Sequence, residues 1–138
     1  MKRADITIIG GSAAGLTAAI TARRHYPTKS ILLIRKEKQV PIPCGIPYIF
    51  GTLEGVEKNL IPDGILAKHE VELRIDEVTH IQPKQRVVIC ADGEEIAYDK
   101  LIVATGSVPA TPPIPGIERK GVLSVRKEVP HLNAMAAY

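Results

Sequence analysis

Aromatic side chains are scarce in this chain: one phenylalanine, four tyrosines and no tryptophan among 138 residues. Its core must therefore be built from Val, Ile, Leu and Ala. Cysteine is as sparse. Cys44 and Cys90 are the only two, too few for a disulfide framework and too far apart for a C-x-x-C dithiol. His25, His69, His80 and His131 lack metal-ligand spacing, and no Cys/His cluster exists. Neither sign of charge dominates: 18 basic against 15 acidic residues leave a dispersed +3, which makes no case for nucleic acid. There is no internal repeat, no low-complexity tract and no apolar run of membrane-spanning length.

What is present suits a folded domain. Hydrophobic residues make up 45%, which argues against disorder. Met1-Lys2-Arg3 and the apolar stretch to Ala22 have the outline of a secretory signal. Against that reading stand Asp5, the break at Gly10-Gly11-Ser12, and the direct run into Arg23-Arg24. The expected compartment is cytoplasmic, with both cysteines as thiols.

Residues Ala4 to Ile9 are a short apolar run ahead of two glycines, the pattern of a buried parallel strand. A helix is expected from Ala13 to about His25, with Ala14, Ala18 and Ala22 on one face, Gly15 and Ala19 beside it, and Leu16 and Ile20 in an adjacent stripe. So many small residues imply close approach to a sheet. Tyr26-Pro27 ends the helix, and Ser30 to Ile34 forms a second strand, completing a βαβ unit. Gln39 to Gly64 is rich in Pro and Gly and reads as loop with a short helix near Tyr48 to Gly51. Val71 to Ile75, Val78 to Ile81, Arg86 to Cys90 and Glu95 to Tyr98 read as an antiparallel meander at about residues 70–98, with a hairpin at Asp92-Gly93. Lys100 to Ala104 returns to a parallel strand. A proline-punctuated connection and a last helix from Glu128 follow, where the chain reads as cut. The expected fold class is α/β, a parallel sheet with an inserted antiparallel β-meander.

The turn Gly10, Gly11, Ser12, Ala13, Ala14, Gly15 carries the chemistry. Compared with G-x-G-x-x-G, it keeps the first and third glycines and has Ser12 as the second. Gly10 permits the tight turn, Gly15 lets helix and strand pack closely, and the helix N-terminus offers N–H groups to a pyrophosphate. A tight turn with no ligand is the alternative. The acidic residue usual at the end of the second strand is missing: Arg35 and Lys36 stand there, then Glu37. Arg35 suits a 2′-phosphate, whereas Glu37 or a backbone group would serve ribose hydroxyls. The turn alone does not separate FAD, NAD and NADP.

Two more segments narrow the choice: P-I-P-C-G-I-P-Y from Pro41 to Tyr48, and Y-D-K-L-I-V-A-T-G-S-V-P from Tyr98 to Pro109. With the turn, in this order and spacing, they make the chain resemble the NADH oxidase and coenzyme A disulfide reductase branch of the pyridine nucleotide–disulfide oxidoreductases, over nearly its whole length. The resemblance implies a single Rossmann-like FAD-binding domain over residues 1–138. Ala104, Thr105 and Gly106 would line the FAD site, and the Val78 backbone would touch the adenine. Members commonly have Glu where this chain has Arg35, and many have Ser where it has Pro43. They continue into NAD(P)H-binding and dimerisation domains not found in these residues, so the chain alone is not expected to turn over NAD(P)H.

The same resemblance makes Cys44 the candidate redox residue, with Gly45 and Pro47 suiting close backbone approach to the flavin. It would form a mixed disulfide with a small thiol such as coenzyme A, or cycle through sulfenic acid with oxygen or peroxide. An inert buried thiol is the plain alternative. Cys90, near a hairpin end, reads as structural. Arg23 and Arg24 suit a helix C-terminus, with contact to an anionic coenzyme A segment as the other reading. A ferredoxin- or rubredoxin-reductase type of flavoprotein, and a stand-alone nucleotide-binding module, complete the alternatives.

Overall fold

The computed structural model describes residues 1–138. Two compact units emerge, one of residues 1–38 and 62–105, the other of residues 39–61 and 106–138.

The first unit is built on a six-stranded sheet. Its strands are β1 (Lys2–Ile9), β2 (Ile31–Arg35), β3 (Glu72–Ile75), β4 (Val78–Gln82), β5 (Val87–Cys90) and β6 (Glu95–Val103), in the order β3-β2-β1-β6-β5-β4. The pairs β3/β2, β2/β1 and β1/β6 are parallel; β6/β5 and β5/β4 are antiparallel. Helix α1 (Ala13–His25) crosses from β1 to β2.

The apolar runs of β1 and β2 follow from cover on both faces. Ile31 and Leu33 join Ile6, Ile8, Ala19 and Ala22 on the α1 side. Leu32 and Ile34 join Ile9, Val88, Ile96 and Tyr98 on the other. Alternation along one strand thus feeds two cores. The small face of α1 is confirmed in kind and shifted in phase: Gly15, Ala19 and Ala22 are the buried line, while Ala14 in the first turn is exposed.

Two strands differ from the sequence reading. Residues 72–75 do not open the meander; β3 lies parallel to β2, with Leu33 opposite Leu73 and Arg35 opposite Ile75. The segments expected at 95–98 and 100–104 merge into one strand, β6, which ends at Val103 and pairs with β5 near its start and with β1 along its length. A four-residue strand with mixed polarity suits either sheet orientation, so only its distant partner decides. The Asp92-Gly93 hairpin is present, with Gly93 at φ 86° and the Asp92 carboxylate accepting from the Glu94 N–H at 2.9 Å.

Arg23 closes the far end of α1. Its guanidinium donates to the carbonyls of Pro27, Lys29, His69 and Glu70 at 2.7–3.0 Å, tying the helix end to the end of α3 (Gly64–Lys68). Arg23 is half-buried and bonds carbonyls outside the helix, whereas Arg24 is exposed.

The second unit holds a 3₁₀ turn at Pro43–Gly45, α2 (Ile46–Ile49), a second 3₁₀ turn at Val56–Asn59 and α4 (Val129–Ala136). Its core is Ile46, Ile49, Val56 and Leu132, with Leu53, Leu60 and Val129 against them. No helix is long and apolar enough to cross a membrane.

Candidate functional site: a glycine turn at the sheet edge and a held cysteine

Strand order reverses between β2/β1 and β6, and in open α/β sheets ligands bind beyond the carboxyl ends at such a point. Gly10 leaves β1 there and Ala104 leaves β6 there. The Gly10 N–H donates to the Ile34 carbonyl and the Ala104 N–H to the Ile9 carbonyl, both at 2.8 Å. Gly10 has φ 106°, and a Cβ on it would stand 2.7 Å from the Ala104 carbonyl carbon and closer to its oxygen. Only glycine meets both demands. A Cβ on Gly15 would likewise collide with the Gly10 carbonyl group, so α1 begins in backbone contact with the turn.

Ser12 is the N-cap of α1 at φ −84°, ψ −166°, extended backbone that needs no glycine. Its side chain makes no capping bond and the first turn holds no acidic residue, while Ala13 and Ala14 are exposed. The first-turn N–H groups therefore lack a capping partner from the N-cap side chain, and they carry the positive end of a 13-residue helix. This donor set fits a pyrophosphate.

Arg35 lies beneath this turn. A Cβ on Gly11 would press on the Arg35 stem, 3.0 Å from its Cβ and 3.1 Å from its Cγ. The Arg35 side chain is 1% exposed; Nε donates to the Glu37 carbonyl at 2.8 Å, and Nη2 to the Lys38 carbonyl at 3.0 Å and Asp63 Oδ1 at 2.7 Å. Arg35 Nε and Nη2 thus close the turn after β2, below the glycine loop. Lys36 is exposed and pairs with Glu77 at 3.8 Å.

The structure brings Gly10, Gly11, Gly15, Arg35, Ala104 and Thr105 together. Gly106, at φ 75°, has open space around it. Val78 opens β4 opposite Cys90, next to a bulge, with its side chain half-buried against the β1–β2 core. A cavity of about 520 Å³ lies along α1, lined by Ala18, Thr21, His25, Lys29, Asp99 and Lys100 among others, and includes no residue of the glycine turn.

Cys44 and Pro43 belong to the second unit. Cys44 is exposed in the Pro43–Gly45 turn, and α2 after it is a single turn, so few peptide dipoles align there. Cys90 is buried, and burial pushes its thiol pKa up. Beside it Arg74 bonds Asp76, Asp92 and Glu94, holding the Asp76 and Glu94 carboxyls below the usual range. Asp76, Asp92 and Cys90 present donor atoms within 4.8 Å of one another, but Arg74 supplies that cluster with its positive charge. This group was not visible in the sequence, because it joins two stretches, 74–76 and 90–94, that only the fold brings together.

A family model described as pyridine nucleotide-disulphide oxidoreductase matches residues 4–134. The chain belongs to that family. It is 34% identical over 128 residues to an NADH oxidase of Methanocaldococcus jannaschii, covering 86% of this chain and 29% of the relative. A CoA-dependent NAD(P)H sulfur oxidoreductase of Pyrococcus abyssi is 32% identical over 124 residues, covering 86% and 28%. Among solved structures, reduced Bacillus anthracis CoADR-RHD superposes with a TM-score of 0.82 at 27% identity, over 100% of this chain and 27% of that one. This family member thus spans under a third of the length of these relatives.

Proposed function

We propose that this chain is the FAD-binding portion of a flavin-dependent NAD(P)H oxidoreductase. Electrons would pass from NAD(P)H by way of FAD to Cys44, and on to a small disulfide, polysulfide, oxygen or peroxide. The observation that carries the reading is the backbone cradle at Gly10–Gly15, where the Ala104 carbonyl closes on Gly10 and the first turn of α1 offers its donors. Family membership supports the same reading, as do the names of the relatives.

The residues have separable tasks. Gly10, Gly11 and Gly15 keep side chains away from the pyrophosphate path, and the N–H groups of Ser12 to Gly15 hold its charge. Ala104 and Thr105 would face the cofactor, as would Gly106 by the family resemblance, and Arg35 stiffens the loop from below. The Val78 backbone would meet the adenine, and Lys36, exposed at the same strand end, would face the nucleotide's anionic part. Bound FAD would supply hydride and electron chemistry, as cofactors do in such enzymes. Cys44, exposed on a backbone fixed by prolines, would present its sulfur to a small disulfide such as that of coenzyme A. A cytoplasmic setting suits a working free thiol.

The visible spectrum tests the cofactor. Flavin bands that stay with the protein through gel filtration, as purified or after adding FAD, are the expected result. A protein that stays colourless after FAD addition refutes the proposal for this chain, and leaves the reading of a nucleotide-binding module without turnover.

A further inference from the structure

We infer that Asn59 is a positioning residue for Cys44, an inference that rests on the reading of Cys44 as a working thiol. Asn59 lies 15 residues beyond the cysteine, is 3% exposed, and is among the few buried polar residues of the chain. It grips the cysteine turn in three ways. Its carbonyl accepts from the Ile42 N–H at 2.8 Å, and its Nδ2 donates to the Ile42 carbonyl at 3.0 Å. The Ile42 carbonyl that Nδ2 holds also accepts from the Gly45 N–H at 3.0 Å, closing the turn around Cys44. The Asn59 amide group also lies so close to Gly45 that a Cβ there would stand 2.8 Å from Asn59 Cγ and nearer still to Oδ1.

Cys44 is therefore bracketed by Ile42, which Asn59 bonds, and Gly45, which Asn59 packs against, while its own side chain stays exposed. The flanking chain is zipped in the same sense: Pro41 bridges Leu60, and the Ile61 N–H donates to the Val40 carbonyl at 2.8 Å. Gly45 sits at φ −87°, ψ −11°, where alanine is at ease. The three atoms nearest to a Cβ there all belong to the Asn59 side chain. Burying a carboxamide is unfavourable unless its bonds are made, so a residue that serves only to fill this core would be apolar.

The test is a double-variant cycle on the whole chain: Asn59→Ala, Gly45→Ala, and both together. Two readouts are followed, amide hydrogen exchange at Ile42 and Gly45 with the Cys44 resonances, and iodoacetamide alkylation of Cys44 and Cys90 read by mass spectrometry. In Asn59→Ala, exchange at Gly45 should quicken by about tenfold and the Cys44 resonances should move, while amides of the β1–β2 core keep their protection. Gly45→Ala should disturb the same resonances in the parent and add nothing in the Asn59→Ala background, since the clash has gone. Asn59→Ser gives the same comparison where the alanine variant does not fold. Unchanged Gly45 exchange and Cys44 resonances in a folded Asn59 variant would overturn the inference, as would a Gly45→Ala effect undiminished by removing Asn59. A Cys44 no more readily alkylated than Cys90 in the parent chain would instead remove the redox reading, leaving the coupling between Asn59 and Gly45 to be judged by exchange.

Discussion

Replacing Gly15 with alanine sets two physical effects against each other. Gly15 is inside α1, where helix propensity favours alanine over glycine by roughly 1 kcal/mol. Packing says the opposite. The new methyl would stand 2.8 Å from the Gly10 carbonyl carbon, closer to its oxygen, and 3.5 Å from Ile8 Cγ2. Ordinary contacts lie near 3.5–4.0 Å, so the start of α1 would have to retreat from the turn by more than about 1 Å. Gly10 does not yield, because its N–H is bonded to Ile34 and the side of its Cα where a Cβ would stand abuts Ala104. Overpacking of this kind costs roughly 1–3 kcal/mol, which exceeds the propensity gain at most of its range. Gly15→Ala should therefore lower the urea midpoint, with an unchanged slope, by the equivalent of up to about 2 kcal/mol. FAD uptake should weaken with it, since the first-turn donors move. Ala18→Gly, one turn on and half-buried, serves as a control in which propensity alone predicts a loss of about 1 kcal/mol. A Gly15→Ala protein more stable than the parent would refute the close-contact account of the turn.

Three further outcomes follow from other parts of the chain. Arg35→Ala removes three hydrogen bonds and the floor under Gly11, and leaves Asp63 without its partner; urea denaturation should show a loss of about 3 kcal/mol, and Arg35→Lys should restore little, because one ammonium does not span three acceptors set in a fork. Asp5 accepts from the Ser30 N–H and hydroxyl at 2.8 Å and from Lys29 at 3.1 Å, with the Ser30 backbone the largest cause of its pKa falling from 3.8 to about 2. A depressed carboxylate stabilises fully above its unfolded value and less as pH falls through its folded one, so stability should decline from pH 3.8 toward 2, and Asp5→Asn should flatten that part of a pH–denaturation profile. Cys44 should react with iodoacetamide at neutral pH well ahead of Cys90, whose thiol is buried and raised in pKa; equal rates by peptide mapping would count against that assignment.

The parts of the fold set by local pattern were legible in the sequence. The runs Ala4–Ile9 and Ser30–Ile34 read as buried strands because both faces are covered, and Asp92-Gly93 marked its hairpin through a positive φ that glycine allows. The glycine turn was legible because its spacing sits between a strand and a helix of one βαβ unit, where Gly15 meets the Gly10 backbone; that Gly10 meets Ala104 and Gly11 the Arg35 stem was not. Parts set by distant partners were not. Glu72–Ile75 joins β2 through a pairing 40 residues apart, and the break at Tyr98-Asp99-Lys100 vanished because β1 runs past it. The bonds of Arg35 Nε and Nη2 to Asp63, 28 residues on, and to two carbonyls after β2 were likewise not legible from its place at a strand end. Asn59 carried no motif at all, since its meaning lies in Ile42 and Gly45.

The central claim is that the turn from Gly10 to Gly15 receives the pyrophosphate of FAD. Titration of the chain with FAD and with FMN, followed by flavin fluorescence, tests it most directly, because FMN shares the isoalloxazine and lacks the pyrophosphate and adenosine. FAD should bind with ADP as a competitor, and FMN should bind at least about tenfold more weakly, a difference of roughly 1.4 kcal/mol. Equal binding of FMN and FAD, or FAD binding untouched by ADP, would contradict the account.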